Sequence, residues 1–217
     1  MNGLTDNLEP IADKIREELT AKDAAREKIL PRCRDAIRHC SRAIRAVHRQ
    51  EFDKARELLN GARGLLSEAE VASTDHSELG YTGFARDAQK EFAEGSITLA
   101  LVTGKPMPTP EELGVEAVSY LKGMGEAVGE LRRYLLDSMR HGDLSKGEGL
   151  LTAMDDIYNT LVTMDFPDAI TGGLRHTTDM VRGVLERTRS DLTLAIGQQG
   201  VADKLDRLFQ KKEGRDG

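Results

Sequence analysis

Tryptophan is absent from this 217-residue chain, and aromatic residues make up only 4% of it. A β-sandwich builds its core from aromatic and β-branched strands, so that class is disfavoured at the outset. No run of about 18 apolar residues occurs, and nothing is expected to span a bilayer. Residues 1–9 have neither the basic start nor the apolar stretch of a signal peptide, so the chain is expected to stay in the cytoplasm. Cysteine is nearly missing too: only Cys33 and Cys40 are present. On a helix they would lie about 10 Å apart along the axis, beyond the reach of a disulfide. With no histidine at metal spacing beside them, they read as small buried apolar side chains. No Walker loop, zinc pattern or Cys/His nucleophile arrangement occurs, and the five histidines are scattered. The glycines of Gly123-Met-Gly-Glu-Ala-Val-Gly129 have the wrong spacing, and no preceding strand, for a dinucleotide fingerprint.

What is present is a helical chain. A hydrophobic content of 39% is enough for a core, so disorder is not expected. Proline costs about 3 kcal/mol inside a helix, so long proline-free stretches permit helices. Three of the six prolines (Pro106, Pro108 and Pro110) fall in one break, while Pro10, Pro31 and Pro167 are isolated. Apolar positions spaced by three and four predict helices near 8–22, 26–50, 51–70, 78–103, 111–140, 145–164, 174–196 and 200–211. Pro31 is expected at an early turn or kink between the first two. Gly80, the 104–110 segment, Gly142 and Gly172–Gly173 are candidate turns or helix ends. No alternating run suggests a sheet, and neither a repeat nor a linker divides the chain. The expectation is an all-α, single-domain bundle of about seven helices over residues 1–211, with 212–217 a frayed tail.

Charge is distributed unevenly. The net charge of −6 opposes a general attraction to nucleic acid. Residues 26–49 nevertheless carry eight basic side chains against two acids, a local +6 that leaves −12 on the rest. Arg34, Arg38, Arg42, Arg45 and Arg49 fall within an arc of roughly 80° on a helix. Cys33, Ile37, Cys40, Ile44 and Val47 form the apolar stripe opposite. Like charges at such spacings repel by a few tenths of a kcal/mol per pair, which a purely solvated face would relieve with glutamates. Arginine's planar fork suits phosphate oxygens, and the ridge is a candidate phosphate-backbone surface. Arg175, Arg182 and Arg189, spaced by seven on a late helix, are a weaker set for which a plain solvated face serves as well.

Two glutamate pairs carry the chemistry. Glu91 and Glu94 share one side of their helix with Phe84, Ala88, Gly95, Leu99 and Val102. Carboxylates on an apolar face are costly unless a cation or hydrogen bonds compensate them. A salt bridge between helices and a metal ion are both open readings of this pair. Glu126 and Glu130 lie on the next long helix, away from its stripe of Ala117, Leu121, Met124, Val128, Leu131 and Leu135, and taken alone they read as an ordinary solvated face. Gly123, Gly125 and Gly129 surround them, although helical glycine costs up to about 1 kcal/mol relative to alanine. Close approach of another backbone or a ligand would explain them. A loop through Pro106–Pro110 is expected to turn the two helices antiparallel and bring the pairs together. Four carboxylates on facing helices form a hard-oxygen site for Mg²⁺ or Mn²⁺. Such an ion positions phosphate, activates water and offsets charge in a phosphodiester transition state.

The segments Gln89-Lys-Glu91-Phe-Ala-Glu94 and Ser119-Tyr-Leu-Lys-Gly-Met-Gly-Glu126-Ala-Val-Gly-Glu130-Leu-Arg-Arg133 resemble the translin family. The likeness is greatest to the branch of translin-associated factor X (TRAX) and its archaeal relatives. Asp137-Ser138, His141-Gly-Asp143 and Leu174-Arg175 through Arg189-Ser-Asp-Leu192 resemble the family's later helices, and the likeness covers most of 26–195. It implies an all-helical fold, a hollow octameric barrel and binding of single-stranded nucleic acid. In the TRAX branch it further implies Mg²⁺-dependent cutting of RNA in the barrel interior. By the same resemblance Glu91 and Glu94 are the Glu-x-x-Glu metal ligands. Glu126 stands where the catalytic branch has aspartate, Glu130 where it has glutamate, and Arg133 at a basic position. The translin branch lacks the full acidic set and binds RNA without cutting, so four retained carboxylates imply a nuclease. The arginine ridge matches the RNA-contacting helix in position.

The resulting expectation is a Mg²⁺- or Mn²⁺-dependent endoribonuclease acting on single-stranded RNA, or on single-stranded parts of structured RNA, as a homo-oligomer. Its arginines would orient the backbone without reading bases. The few aromatics leave base stacking a minor contribution. Two rivals remain: a non-catalytic RNA-binding scaffold whose glutamates form salt bridges, and a helical adaptor that binds only protein.

Overall fold

The computed structural model describes residue 5 and residues 7–213, and among them there is no strand. The elements are α1 (Leu8–His48), α2 (Phe52–Ala72), a 3₁₀ segment (Thr74–Tyr81), α3 (Gly83–Val102), α4 (Pro110–Leu113), α5 (Ala117–Arg140), α6 (Gly147–Val162), α7 (Asp168–Thr171) and α8 (Leu174–Glu213). The all-α expectation agrees with this architecture. No helix among the described residues is long and apolar enough to cross a membrane. Of the segment 212–217, expected to fray, residues 212 and 213 are helical and 214–217 lie outside the described residues.

Several boundaries differ from the sequence expectation. The helices expected at 8–22 and 26–50 are one, continuous through Pro31. Glu27, whose carbonyl Pro31 leaves without an amide, and Pro31 itself are exposed, while Ile29 and Cys33 on either side of the proline are buried. Burial on the inner face thus carries the helix across the proline. The helix expected at 78–103 begins at Gly83, because residues 74–81 tighten into the 3₁₀ segment that contains Gly80. The helices expected at 174–196 and 200–211 are also continuous. Gly104, Gly142, Gly172 and Gly173 have positive φ and mark the anticipated turns.

α1 packs on α2 and on α3, α3 packs on α5, and α6 and α8 cover the far side of α5. The two central helices run parallel, contrary to the antiparallel hairpin expected from the proline cluster. Ser119 Oγ donates to the Arg86 carbonyl, and one turn later Gly123 meets the Lys90 carbonyl, so the register advances the same way along both. Residues 103–116 return the chain over the roughly 30 Å length of a 20-residue helix. The prolines suit this return by favouring extended backbone. The Tyr120 hydroxyl donates to the Pro108 carbonyl, and Thr109 and Glu112 close a capping box at the start of α4.

Buried positions occupy two faces of α5. Met124, Val128, Leu131 and Leu135 of the expected stripe are buried, Leu121 is half-buried and Ala117 is exposed. Gly123 and Ala127 form a second buried face, and Gly123 sets the spacing to α3. A Cβ added there would stand 2.5 Å from the Lys90 carbonyl oxygen and 2.9 Å from the Glu94 amide nitrogen. Gly125 is equally tight against Thr177 of α8, at 2.4 Å, whereas Gly129 has open space around it. Close approach therefore explains two of the three glycines. Replacing Gly123 with alanine is expected to force α3 and α5 apart and cost about 1–3 kcal/mol in urea unfolding, despite alanine's better helix propensity. The same change at Gly129 is expected to be neutral or stabilising.

Candidate metal and nucleic-acid site

Because α3 and α5 meet at Gly123, the glutamates a turn away on each helix come together. One carboxylate oxygen from each of Glu91, Glu94 and Glu126 lies within 4.8 Å of the other two. Opposed oxygens on a Mg²⁺ ion stand about 4 Å apart, so the trio is gathered on the scale of that ion's coordination shell. Glu94 is buried, at 8% exposed, and has no ion pair among the described residues. Burial, reinforced by the charges of Glu91, Glu126 and Glu130 and only partly offset by Lys90, pushes its pKa from 4.5 up to about 8. Ala88, Gly95, Leu99 and Val102 on the same side of α3 are buried and Phe84 half-buried, as the sequence pattern anticipated.

Glu130 lies beside this trio with a partner of its own. His48 Nε2, at the end of α1, is 2.5 Å from Glu130 Oε2. That hydrogen bond, opposed by burial and helped by the charges of His48 and Arg133, holds the Glu130 carboxyl below its usual range. The His48 side chain is 6% exposed, and its Nδ1 is buried with no partner among the described residues. Arg133 is exposed, with a guanidinium nitrogen 3.9 Å from Glu130. Cys33 and Cys40 are free and buried, and burial together with nearby Glu91 and Glu94 raises the Cys40 thiol to about 12.

Lys90 is the residue that sequence reasoning overlooked. Its Nζ is 2.7 Å from Glu126 Oε2, 2.9 Å from Glu126 Oε1 and 3.5 Å from Glu91 Oε1. Burial works against its charge, but the hydrogen bond to Glu126 and the surrounding carboxylates outweigh it and raise its pKa. Its place in Gln89-Lys90-Glu91 offered a hint, yet no periodic signal separates it from a surface lysine. His48 left no sequence signal, since its partner is 82 residues away.

The arginine ridge is a separate surface. Arg34, Arg38, Arg42, Arg45 and Arg49 are all exposed. Arg38 pairs with Asp35, and the other four have no ion pair among the described residues. Around α1 the centre of the ridge stands roughly 160° from Cys40, whose side meets the acidic helix. The ridge and the acids thus lie on opposite sides of α1. The weaker late set behaves as a solvated face, with Arg175, Arg182 and Arg189 paired to Asp165, Glu186 and Asp155.

The donor set fits a hard divalent cation: three oxygen ligands, with more negative charge than Lys90 can offset. Without such an ion the folded protein holds the Glu94 proton more tightly than the unfolded chain does. Stability should therefore fall as pH rises from about 4.5 to 8 and level off above. Urea unfolding in EDTA across this window is expected to give Glu94→Gln a shallower decline, by on the order of 1 kcal/mol per pH unit. Identical slopes would contradict the raised pKa.

No protein-family model matches the sequence. Over 192 residues the chain is 28% identical to an uncharacterized protein of Methanocaldococcus jannaschii, covering 88% of this chain and 85% of that protein. Among solved structures, AfC3PO in complex with duplex RNA superposes with a TM-score of 0.80 at 31% identity, covering 86% of this chain and 97% of its own. AfC3PO by itself gives 0.78 at 32% identity with the same coverage. The apo form of NeC3PO gives 0.75 over 89% of this chain and 100% of its own, at 17% identity, a likeness of fold alone. With the AfC3PO chain matched almost end to end at this identity, the protein belongs to the C3PO family of translin-like proteins.

Proposed function

We propose that this chain is a catalytic, TRAX-like member of the family: a Mg²⁺- or Mn²⁺-dependent endoribonuclease that cuts single-stranded RNA, or single-stranded parts of structured RNA. The observation that carries the reading is the convergence of Glu91, Glu94 and Glu126 on one point with a single lysine among them. Glu91 and Glu126 alone exceed what one ammonium neutralises, Glu94 can ionise beside a bound cation, and the surplus suits a divalent ion. When bound, that ion supplies charge for the scissile phosphate and activates water for attack on phosphorus.

The rest falls to the chain itself. Glu91, Glu94 and Glu126 are the proposed ligands. Glu130, oriented by His48, is the proposed fourth acid of the site. Arg133 stands at the rim beside Glu130 and is proposed to contact RNA phosphate, as is the arginine ridge on the far side of α1. Exposed apolar residues at the ends of the long helices (Leu8, Ile15 and Leu19 in α1; Val201, Leu205 and Leu208 in α8) suit contacts between copies of the chain. They support a homo-oligomer, proposed to be an octameric barrel in the cytoplasm. Within such an assembly the ridge of one copy can serve the acids of another.

A non-catalytic RNA-binding scaffold is the second reading, favoured by the pairing of Lys90 with Glu126 and Glu91. A melting titration separates the two. A Mn²⁺ site should stabilise the fold by about 2.7 kcal/mol at a hundred times its Kd, whereas the scaffold's melting temperature stays flat.

Purified protein is expected to cleave single-stranded RNA with Mg²⁺ or Mn²⁺ and to stop in EDTA. Glu91→Ala combined with Glu126→Ala is expected to lower the rate by about a hundredfold or more while RNA is still bound. The RNA in the AfC3PO complex is duplex. Single-stranded and duplex substrates should therefore be compared directly, with faster cutting of the former expected. Cleavage in EDTA, or by the double variant, would refute the nuclease assignment. For the ridge, alanine in place of Arg34, Arg42, Arg45 or Arg49 is expected to reduce the salt dependence of single-strand binding, by roughly 0.7 per lost phosphate contact in a log–log plot.

A further inference from the structure

Lys90 is anchored where α3 and α5 cross. Its carbonyl lies against Gly123, so its backbone cannot withdraw without parting the helices. From there the side chain, 19% exposed, ends among the acids. Its ammonium straddles Glu126, touching both carboxylate oxygens, and reaches Glu91 as well. It is therefore about equally near both oxygens of the Glu126 carboxylate. Among the described residues it is the only cation paired with either Glu126 or Glu91.

We propose that Lys90 is the site's internal counter-cation: it holds Glu91 and Glu126 together in the ion-free protein and is displaced when a divalent ion takes the same oxygens. This rests on the reading of the glutamates as a metal site. The balance of charge favours the exchange, since one positive charge beside the Glu91 and Glu126 carboxylates and the Glu94 carboxyl is replaced by two. Lysine suits such a part better than arginine. Its charge is a compact point on a flexible four-carbon stem that can swing aside, whereas a planar guanidinium would hold a carboxylate by two fixed bonds. The metal thus enters by competition, and the affinity of the site is lower than its carboxylates alone would give.

The consequence is a pair of effects opposite in sign, which a merely structural lysine would not produce. Removing the charge should weaken the ion-free fold and tighten the metal site. The full-length protein is compared with Lys90→Met and Lys90→Gln, and with Lys90→Arg as the variant that retains the charge. Mn²⁺ binding is followed by electron paramagnetic resonance or calorimetry, and melting is followed in EDTA. Lys90→Met and Lys90→Gln are expected to bind Mn²⁺ about tenfold more tightly than the unaltered protein and to melt a few degrees lower in EDTA. Lys90→Arg is expected to show no gain in affinity. Unchanged or weaker Mn²⁺ binding by both uncharged variants, or unchanged melting in EDTA, overturns the assignment of Lys90 while leaving the metal site standing. Failure of the unaltered protein to bind Mn²⁺ at all overturns the metal reading, and the role of Lys90 with it.

Discussion

The contact on which the site depends is between two backbones. Gly123 of α5 rests against the Lys90 carbonyl and the Glu94 amide of α3, closer than any side chain would allow. Helix axes usually stand 8–10 Å apart, and the shortest separations need small residues at the crossing. Here the missing side chain brings together carboxylates that begin on helices well separated in sequence. The energetic penalty of a helical glycine is accepted for this approach, since any substituent would move Glu126 away from Glu91 and Glu94. Gly125, on the opposite face of α5, does the same for α8. The helix is gripped from both sides, and the acidic edge between is held in place.

That geometry creates an electrostatic problem which the protein answers only in part. Bringing carboxylates together away from water favours protonation or an added cation. Both answers are visible. Glu94, the most buried, holds its proton up to about pH 8, and Lys90 sits between Glu91 and Glu126. Glu130 is treated differently, held ionised by His48 at its side. The four acids thus form an uneven set, one protonated, two sharing an ammonium and one tied to an imidazole. A salt-bridge network built for stability would have matched each charge, and the mismatch is what favours the divalent ion proposed above.

Much of this was legible from the residues alone. The arc of Arg34, Arg38, Arg42, Arg45 and Arg49 is exposed where helical periodicity put it, and Cys33, Cys40, Ile44 and Val47 are buried on the other side. Glu91 and Glu94 stand on an apolar side of α3 as their neighbours indicated. Local spacing sufficed there because it relates residues one or two turns apart on a single helix. The direction of α5 relative to α3 does not follow from the residues, because a proline-rich connection limits backbone conformation without saying whether the chain doubles back or returns along the helix. Pro31 does not break α1, because its local cost is outweighed by the burial of Ile29 and Cys33. The roles of Lys90 and His48 were invisible: each depends on a partner 36 or 82 residues away.

The sequence by itself determined the helical class, the two-sided character of α1, the acidic pairs on their helices and the need for close approach near Glu126. All are consequences of periodicity, propensity and composition, which act within a few turns of chain. Only the tertiary structure decided which carboxylates meet, which cation stands among them, and that the arginine ridge faces away from them across α1. Those outcomes depend on how helices cross and in which direction they run, and packing between distant segments fixes both.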